Sequence, residues 1–326
     1  LAVAGDSGGR LAKKRESRAV MSNYVNDFSW SYSRHTTFQT CLKKYYFSYY
    51  AAWGGWQENA AARTREIYRL KRLFTRQQWA GHHAHQAIGA LLKNIPRRTD
   101  DSFAASVEAR QIERMRREFR DSRSGAYRAN PARIPGLFEH EYNLELPAEE
   151  WKAAVDRMAT AVRNFLASEL WQEIQTLPEE AILAVEQRTH FILDGLKVWA
   201  VPDLVIRRNG RIAIYDWKTG ASDPAEHRTQ VGVYVLLGLE SWTAAPEEIS
   251  AVVYNPVQDE QEENVFTADE VETLREFIRD SADEMLFPME DPATNNPGDG
   301  SNFDCTTDDE ACKACPFLKV CPRWAN

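Results

Sequence analysis

The 326-residue sequence contains no apolar run approaching the roughly 18–20 residues that a membrane-spanning helix needs. It has no Gly-x-x-x-x-Gly-Lys-Ser/Thr phosphate loop, so any nucleotide-driven motor acting with it would be a separate protein. Residues 1–20 are small, polar and basic and lack the apolar core of a signal peptide. With no targeting signal, the chain is expected to be cytoplasmic and to have no membrane partner. The first methionine is Met21, and residues 1–20 read as a disordered or appended extension outside the fold. There is no internal repeat and no long low-complexity tract. Cysteine is scarce: Cys41 stands alone, and Cys305, Cys312, Cys315 and Cys321 crowd the last 22 residues. An odd count of five without a secretion signal argues against a disulfide framework.

What is present is the composition of an ordinary globular protein, 43% hydrophobic and 27% charged. The net charge of −8 argues weakly against a nucleic-acid partner, but its distribution matters more. Residues 110–133 carry eight arginines, among them Arg114, Arg117 and Arg120, while the acidic excess sits after residue 256. A basic first half can therefore offer phosphate a local surface on an acidic chain.

Periodicity divides the chain. Residues 21–326 read as one domain: a helical, basic part at 60–135, a core at 136–256, and a C-terminal helix with the cysteines at 265–326. A break is expected at 97–101 and a loop at 129–136. Phe138 to Leu146 alternates and reads as a strand. Residues 148–175 read as a helix whose apolar stripe is Trp151, Ala154, Met158, Val162 and Phe165. Strands are expected at about 181–193, 196–206, 211–218 and 251–254, and helices at 224–240 and 267–286. Helices, a three-strand meander, a helix and another strand make a mixed α/β core with helical decoration.

The chemistry concentrates where two strands meet. Asn209-Gly210 is the strongest short hairpin signal, because a type I′ turn needs positive φ at both central residues. A two-residue turn pairs Arg208 with Arg211 and brings Asp203 opposite Asp216. Opposed residues share a face with Cβ atoms about 4.5–5.5 Å apart. Lys218, two residues further on, lies on the same face. Opposed carboxylates repel, so the natural occupant between them is a divalent cation, Mg²⁺ or Mn²⁺ by preference for hard oxygen. Asp194-Gly195 is a second turn signal. Its register sets Glu186 opposite Asp203 as a third acid, unless Pro202, which cannot donate to the ladder, introduces a bulge. Three of the cysteines, Cys312-x2-Cys315-x5-Cys321, lie within ten residues, and four thiolates suit either Zn²⁺ or an iron–sulfur cluster. Cys41 and Cys305 lie outside that run.

Pro202-Asp203 followed by Asp216-x-Lys218 resembles the signature of the PD-(D/E)XK nucleases. Gly81-x-x-x-His85 with Ile88 resembles the first motif of their RecB-like branch, which implies His85 as a metal ligand beside Asp203 and Asp216. Gln230-x-x-x-Tyr234 resembles that branch's helix motif, and at i, i+4 both side chains face one way. Cys41 before the core and three cysteines after it resemble the iron–sulfur members, similar to the AddB nuclease domain and the CRISPR-adaptation exonucleases. Ser29, Ser31 and the Cys41-Leu-Lys-Lys-Tyr-Tyr context fit as well, with Leu42 where those proteins often carry proline. The resemblance implies a mixed central sheet of the PD-(D/E)XK type flanked by helices, with a helical N-terminal insertion and a C-terminal metal-cluster segment. It implies a metal-dependent deoxyribonuclease, an exonuclease on single strands or duplex ends, with a [4Fe–4S] cluster as a staple. DNA is the implied substrate and a separate helicase or defence-system protein the implied partner. The competing readings are a catalytically silent DNA-binding scaffold subunit and an endonuclease with structural zinc.

Overall fold

The computed structural model describes residues 25–95, 101–220, 224–242 and 244–324. The extension expected at 1–20 lies outside the described residues. Helices α1 (Tyr32–Thr40) and α2 (Leu42–Tyr46), a π-helical turn (Phe47–Ala51) and α3 (Ala62–Lys71) lead into strand β1 (Leu73–Phe74). Helices α4 (Arg76–Leu92) and α5 (Asp101–Arg123) follow, then β2 (Gly136–Leu137), α6 (Phe138–Glu141), α7 (Ala148–Ala167) and α8 (Glu169–Thr176). Five strands come next: β3 (Ile182–Val185), β4 (Thr189–Leu193), β5 (Leu196–Ala200), β6 (Leu204–Arg208) and β7 (Arg211–Trp217). The chain continues through α9 (Pro224–Ser241), β8 (Ile249–Asn255), β9 (Glu260–Val265), α10 (Ala268–Leu286) and α11 (Asp309–Cys312).

The central sheet has the order β3-β6-β7-β8-β9. It is mixed: β7 and β8 run parallel and the other neighbours antiparallel. A parallel pair needs a crossover, and α9 supplies it. The central strand β7 is apolar on both faces, as a strand covered on both sides must be. Ile212 and Ile214 face a core shared with α9, α10, β4 and β5. Ala213, Tyr215 and Trp217 face a second core built by α4, α5, α7 and α8. The expected stripe on α7 is the inward one, with Ala154, Met158, Val162 and Phe165 buried. Among the described residues no helix is long and apolar enough to cross a membrane.

Both turns adopt the conformations their residues favour. Asn209 and Gly210 have φ +52° and +79°, Asp194 and Gly195 +49° and +87°. Arg208 pairs with Arg211, and Leu193 with Leu196, as the two-residue turns require.

The structure departs from the expected elements at four places. The expected three-strand meander splits in two. β4 and β5 form a separate hairpin, while β3 and β6 belong to the central sheet. The break falls at 186–188 and 201–203, where Pro202 cannot donate to the ladder. Phe138 to Leu146 is not a strand but α6 and a turn. Its alternation reflects buried acids with partners elsewhere, not a two-faced sheet. Glu139 accepts the Arg76 amide at 2.9 Å, and Glu141 meets Arg69 at 2.5 Å and Lys319 at 2.6 Å. The expected helix 148–175 breaks at Ser168, whose extended backbone ends α7 and whose hydroxyl caps α8 at the Trp171 amide. The polar run Glu260–Val265 had no apolar signal, yet it forms the edge strand β9, and its charges keep that edge from pairing further.

Candidate active site

The hairpin of β6 and β7 delivers its two acids to one end of the sheet. Leu204 pairs with Tyr215, so Asp203 and Asp216 follow as the next opposed positions. Asp203 holds its place through its own backbone as well: its amide donates to the Tyr215 carbonyl at 3.0 Å. Its Oδ2 accepts the Trp217 amide at 2.7 Å. Both carboxylates are buried, 8% and 3% exposed, which is uncommon for aspartate without a compensating charge.

Two basic side chains meet them. From α4, His85 Nδ1 lies 3.0 Å from Asp203 Oδ1. From the end of β7, Lys218 Nζ lies 2.7 Å from Asp216 Oδ2. Helix α9 then closes the site. Gln230 Oε1 accepts Lys218 Nζ at 2.8 Å while its Nε2 lies 3.2 Å from Asp216 Oδ1. The Tyr234 hydroxyl donates to that same oxygen at 3.2 Å. The i, i+4 spacing of Gln230 and Tyr234 thus aims both at one carboxylate.

Electrostatics follow from this geometry. Burial raises the Asp216 pKa, partly offset by Lys218, and the neighbouring Asp203 charge raises it further. Burial lowers the His85 pKa, but the charge and hydrogen bond of Asp203 outweigh it and hold the imidazole above its usual value. Burial and the two aspartates keep the Tyr234 phenol protonated far above its usual range.

The donor set suits a hard divalent cation: two carboxylates and an imidazole, with one buried oxygen left over. Lys218 neutralises Asp216 Oδ2 at 2.7 Å but lies off the hydrogen-bond direction, so this buried atom has no aligned donor. Such an oxygen is what a cation would take up. As placed, the side chains contact one another, and among the described residues no three His, Cys, Asp or Glu side chains form a ready-made ion site. A cation here would meet both carboxylates and the His85 imidazole.

The other histidines on α4 face elsewhere. His83 is fully buried and lies 2.8 Å from Glu118 on α5. Glu118 is held near 2, where its hydrogen bonds to His83 and Trp79 overcome the cost of burial. His82 lies against Phe74, and burial lowers its pKa to about 4. Glu186 does not join the aspartates through its side chain. Its amide donates to the Asp203 carbonyl at 2.9 Å, so the register expected from the sequence persists. However, its φ of +46° turns it off the pleat, and its carboxylate pairs with Lys93 at 2.6 Å, lying over Gly89. Of the α5 arginines, Arg114 turns inward to Glu118 and Gln86, both at 2.8 Å. Arg117 is exposed, and Arg120 lies 3.6 Å from Glu113.

One contributor escaped sequence reading. The Trp217 amide is backbone and leaves no residue signal. Gly81 is legible only in part: a Cβ there would meet the Thr219 hydroxyl at 2.6 Å. The glycine therefore lets α4 approach the residue next to Lys218, whose carbonyl Arg157 Nε holds at 2.7 Å.

All five cysteines line one small cavity. Cys41 sits between α1 and α2, and its sulfur accepts the amides of Lys44 and Thr306, both at 3.4 Å. Cys305 and Cys321 sulfurs are 3.6 Å apart, and all five are free thiols. Burial pushes the Cys305 and Cys315 thiols up to about 11, with the neighbouring Cys321 adding to the first.

The model of the family described as the PD-(D/E)XK nuclease superfamily matches residues 29–322. No curated protein matches the chain. One solved structure that does is described as "Crystal structure of SSO0001". It is 19% identical, with 58% of this chain and 80% of that one covered, at a TM-score of 0.29.

The His85–Asp203 pair makes a first prediction. The imidazole pKa is raised on folding, so the pair's stabilisation is complete below about pH 6.5, the unfolded value, and is lost as pH rises through the folded value. Imidazole NMR titration of metal-free protein should put His85 above about 6.5, and Asp203→Asn should lower it. A wild-type His85 that titrates at or below that value contradicts the pairing.

Proposed function

The chain belongs to the PD-(D/E)XK nuclease superfamily, and on that premise we propose that it is a metal-dependent DNA nuclease whose site is Asp203, Asp216, Lys218 and His85. Members of that superfamily are usually metal-dependent nucleases and in general use Mg²⁺ or Mn²⁺. The observation that carries the reading is the buried, opposed aspartate pair with Lys218 anchored beside it.

Asp203, Asp216 and His85 would hold the cation, which supplies charge neutralisation at phosphate and a more acidic bound water. The chain's own groups do the rest. Gln230 fixes the Lys218 ammonium against Asp216, where it can orient an attacking water and face charge developing on phosphate oxygen. Tyr234 keeps its proton and so remains a donor to Asp216 throughout. Trp217 and Tyr215 backbone bonds stop Asp203 from swinging away. The mode we favour is exonucleolytic, on single strands or duplex ends beside a separate helicase or defence-system protein, and it rests on the resemblance to the RecB-like branch.

In the same reading Cys41, Cys312, Cys315 and Cys321 hold a [4Fe–4S] cluster. The convergence of residues 41 and 305–321 on one cavity supports it, as do the amide donors to Cys41, which suit a thiolate. Cys305 is the substitute ligand, 3.6 Å from Cys321.

End-labelled single- and double-stranded DNA incubated with Mg²⁺ or Mn²⁺ tests the activity. Asp216→Asn and Lys218→Ala should each lower cleavage by at least about 100-fold. A wild-type protein that binds DNA without cutting it would favour the silent scaffold, and retained cleavage in both variants would contradict the site. Anaerobically purified protein should be brown, with about four irons, a number that follows from the cluster type. A colourless protein with one zinc would replace the cluster by a zinc site.

A further inference from the structure

A cavity of about 620 Å³ lies between the loop after the π-helical turn, α3 and the segment 128–132. Its wall includes Trp56, Arg65, Tyr68, Arg69 and Arg128. Trp53 and Trp56 are unusually exposed for tryptophan, at 40% and 42%. Their rings pack edge to face with centroids 5.1 Å apart, and Trp56 in turn lies 5.9 Å from Tyr68. Two indoles left this wet give up burial that elsewhere contributes to stability.

The loop is built to hold them there. Gly54 has φ +77°, a left-handed conformation that a side chain would strain. At Gly55 a Cβ would lie 2.7 Å from the Thr64 carbonyl and collide with Tyr68, so only glycine lets the loop rest directly on α3. The sequence Trp-Gly-Gly-Trp thus fixes an aromatic surface rather than leaving it on a free loop.

Charge completes the picture. Arg65 is exposed and makes no ion pair among the described residues. Glu66 is taken by Arg63 at 3.1 Å, and Glu141 by Arg69 at 2.5 Å and Arg128 at 3.4 Å, which leaves Glu58 as the cavity's one unengaged acid among the described residues. An exposed indole lining the same cavity as an unpaired guanidinium matches a nucleobase with its phosphate. A duplex keeps its bases stacked on one another, so only an unpaired nucleotide can use the indole.

We propose that this pocket binds an unpaired nucleotide of single-stranded DNA, with the base stacked on Trp56 and a phosphate at Arg65. The choice of DNA rests on the nuclease reading; the stacking chemistry does not. The test uses the full chain in EDTA, where no cutting occurs. Binding of a labelled oligothymidylate is followed by anisotropy and by quenching of tryptophan fluorescence. Trp56→Ala should weaken binding about five- to hundredfold, and Trp56→Phe should restore most of it. Arg65→Ala should weaken binding and reduce the slope of log K against log salt by about 0.7. Affinity for blunt duplex should not change in the Trp56 variants. Oligothymidylate binding that is the same in wild type and a folded Trp56→Ala overturns the proposal. Thymidine monophosphate displacing the oligomer at equal concentration also overturns it, since the site would then take a free nucleotide. Because EDTA withholds Mg²⁺ and Mn²⁺, these outcomes are independent of whether the protein cleaves DNA.

Discussion

Two like charges held together inside a protein are the constraint on which this structure turns. Ionised carboxylates about 4 Å apart repel by on the order of 4 kcal/mol at an effective dielectric near 20, and burial adds to the cost. Asp203 and Asp216 are held opposite each other by the β6–β7 pairing, and a one-residue slip would exchange the side chains that β7 presents to its two cores. The rest of the site answers that charge. His85 arrives from the helical layer on one face, Gln230 and Tyr234 from the layer on the other, and Lys218 from the strand itself. The sheet end is where both layers can reach the same two side chains.

That arrangement explains why the surrounding sequence is so particular. Gly81 and Gly89 thin α4 where Thr219 and Glu186 cross it, so the helix can lie close enough for His85 to touch Asp203. Trp217 serves twice: its ring packs in the second core beside Phe165 and Tyr254, and its amide anchors Asp203. Replacing the ring would therefore loosen the core and the acid together. At the other pole, Lys43 and Cys41 reach across to residues 304–306, joining the first helices to the C-terminal segment. A bound metal or cluster there would stabilise folding by linking distant parts of the chain.

Much of this was legible in the sequence where local chemistry and tertiary structure agree. Asn209-Gly210 dictates its own turn, and counting from it places Asp203, Asp216 and Lys218 correctly relative to one another. Gln230 and Tyr234 were legible only through the resemblance, with helical spacing putting both on one face. What was not legible depended on partners distant in sequence. The acids of Phe138–Glu141 look like an alternating strand until Arg69 and Lys319 appear beside them. Strand β9 is polar because it lies at the sheet edge and buries only Asn264, and Glu186 left the expected row through a left-handed backbone that no spacing rule anticipates. The exposed tryptophans at 53 and 56 carried a signal in their flanking glycines, visible once the close approach to α3 is known.

The central claim is that the opposed aspartates form a cation site. Titration of Mn²⁺ into apo-protein followed by electron paramagnetic resonance tests it without reference to any substrate. Bound Mn²⁺ is expected in the wild type and lost in Asp203→Asn and in Asp216→Asn, with affinity falling at low pH as His85 and Asp216 take up protons. Mn²⁺ bound equally by the wild type and both variants would contradict it.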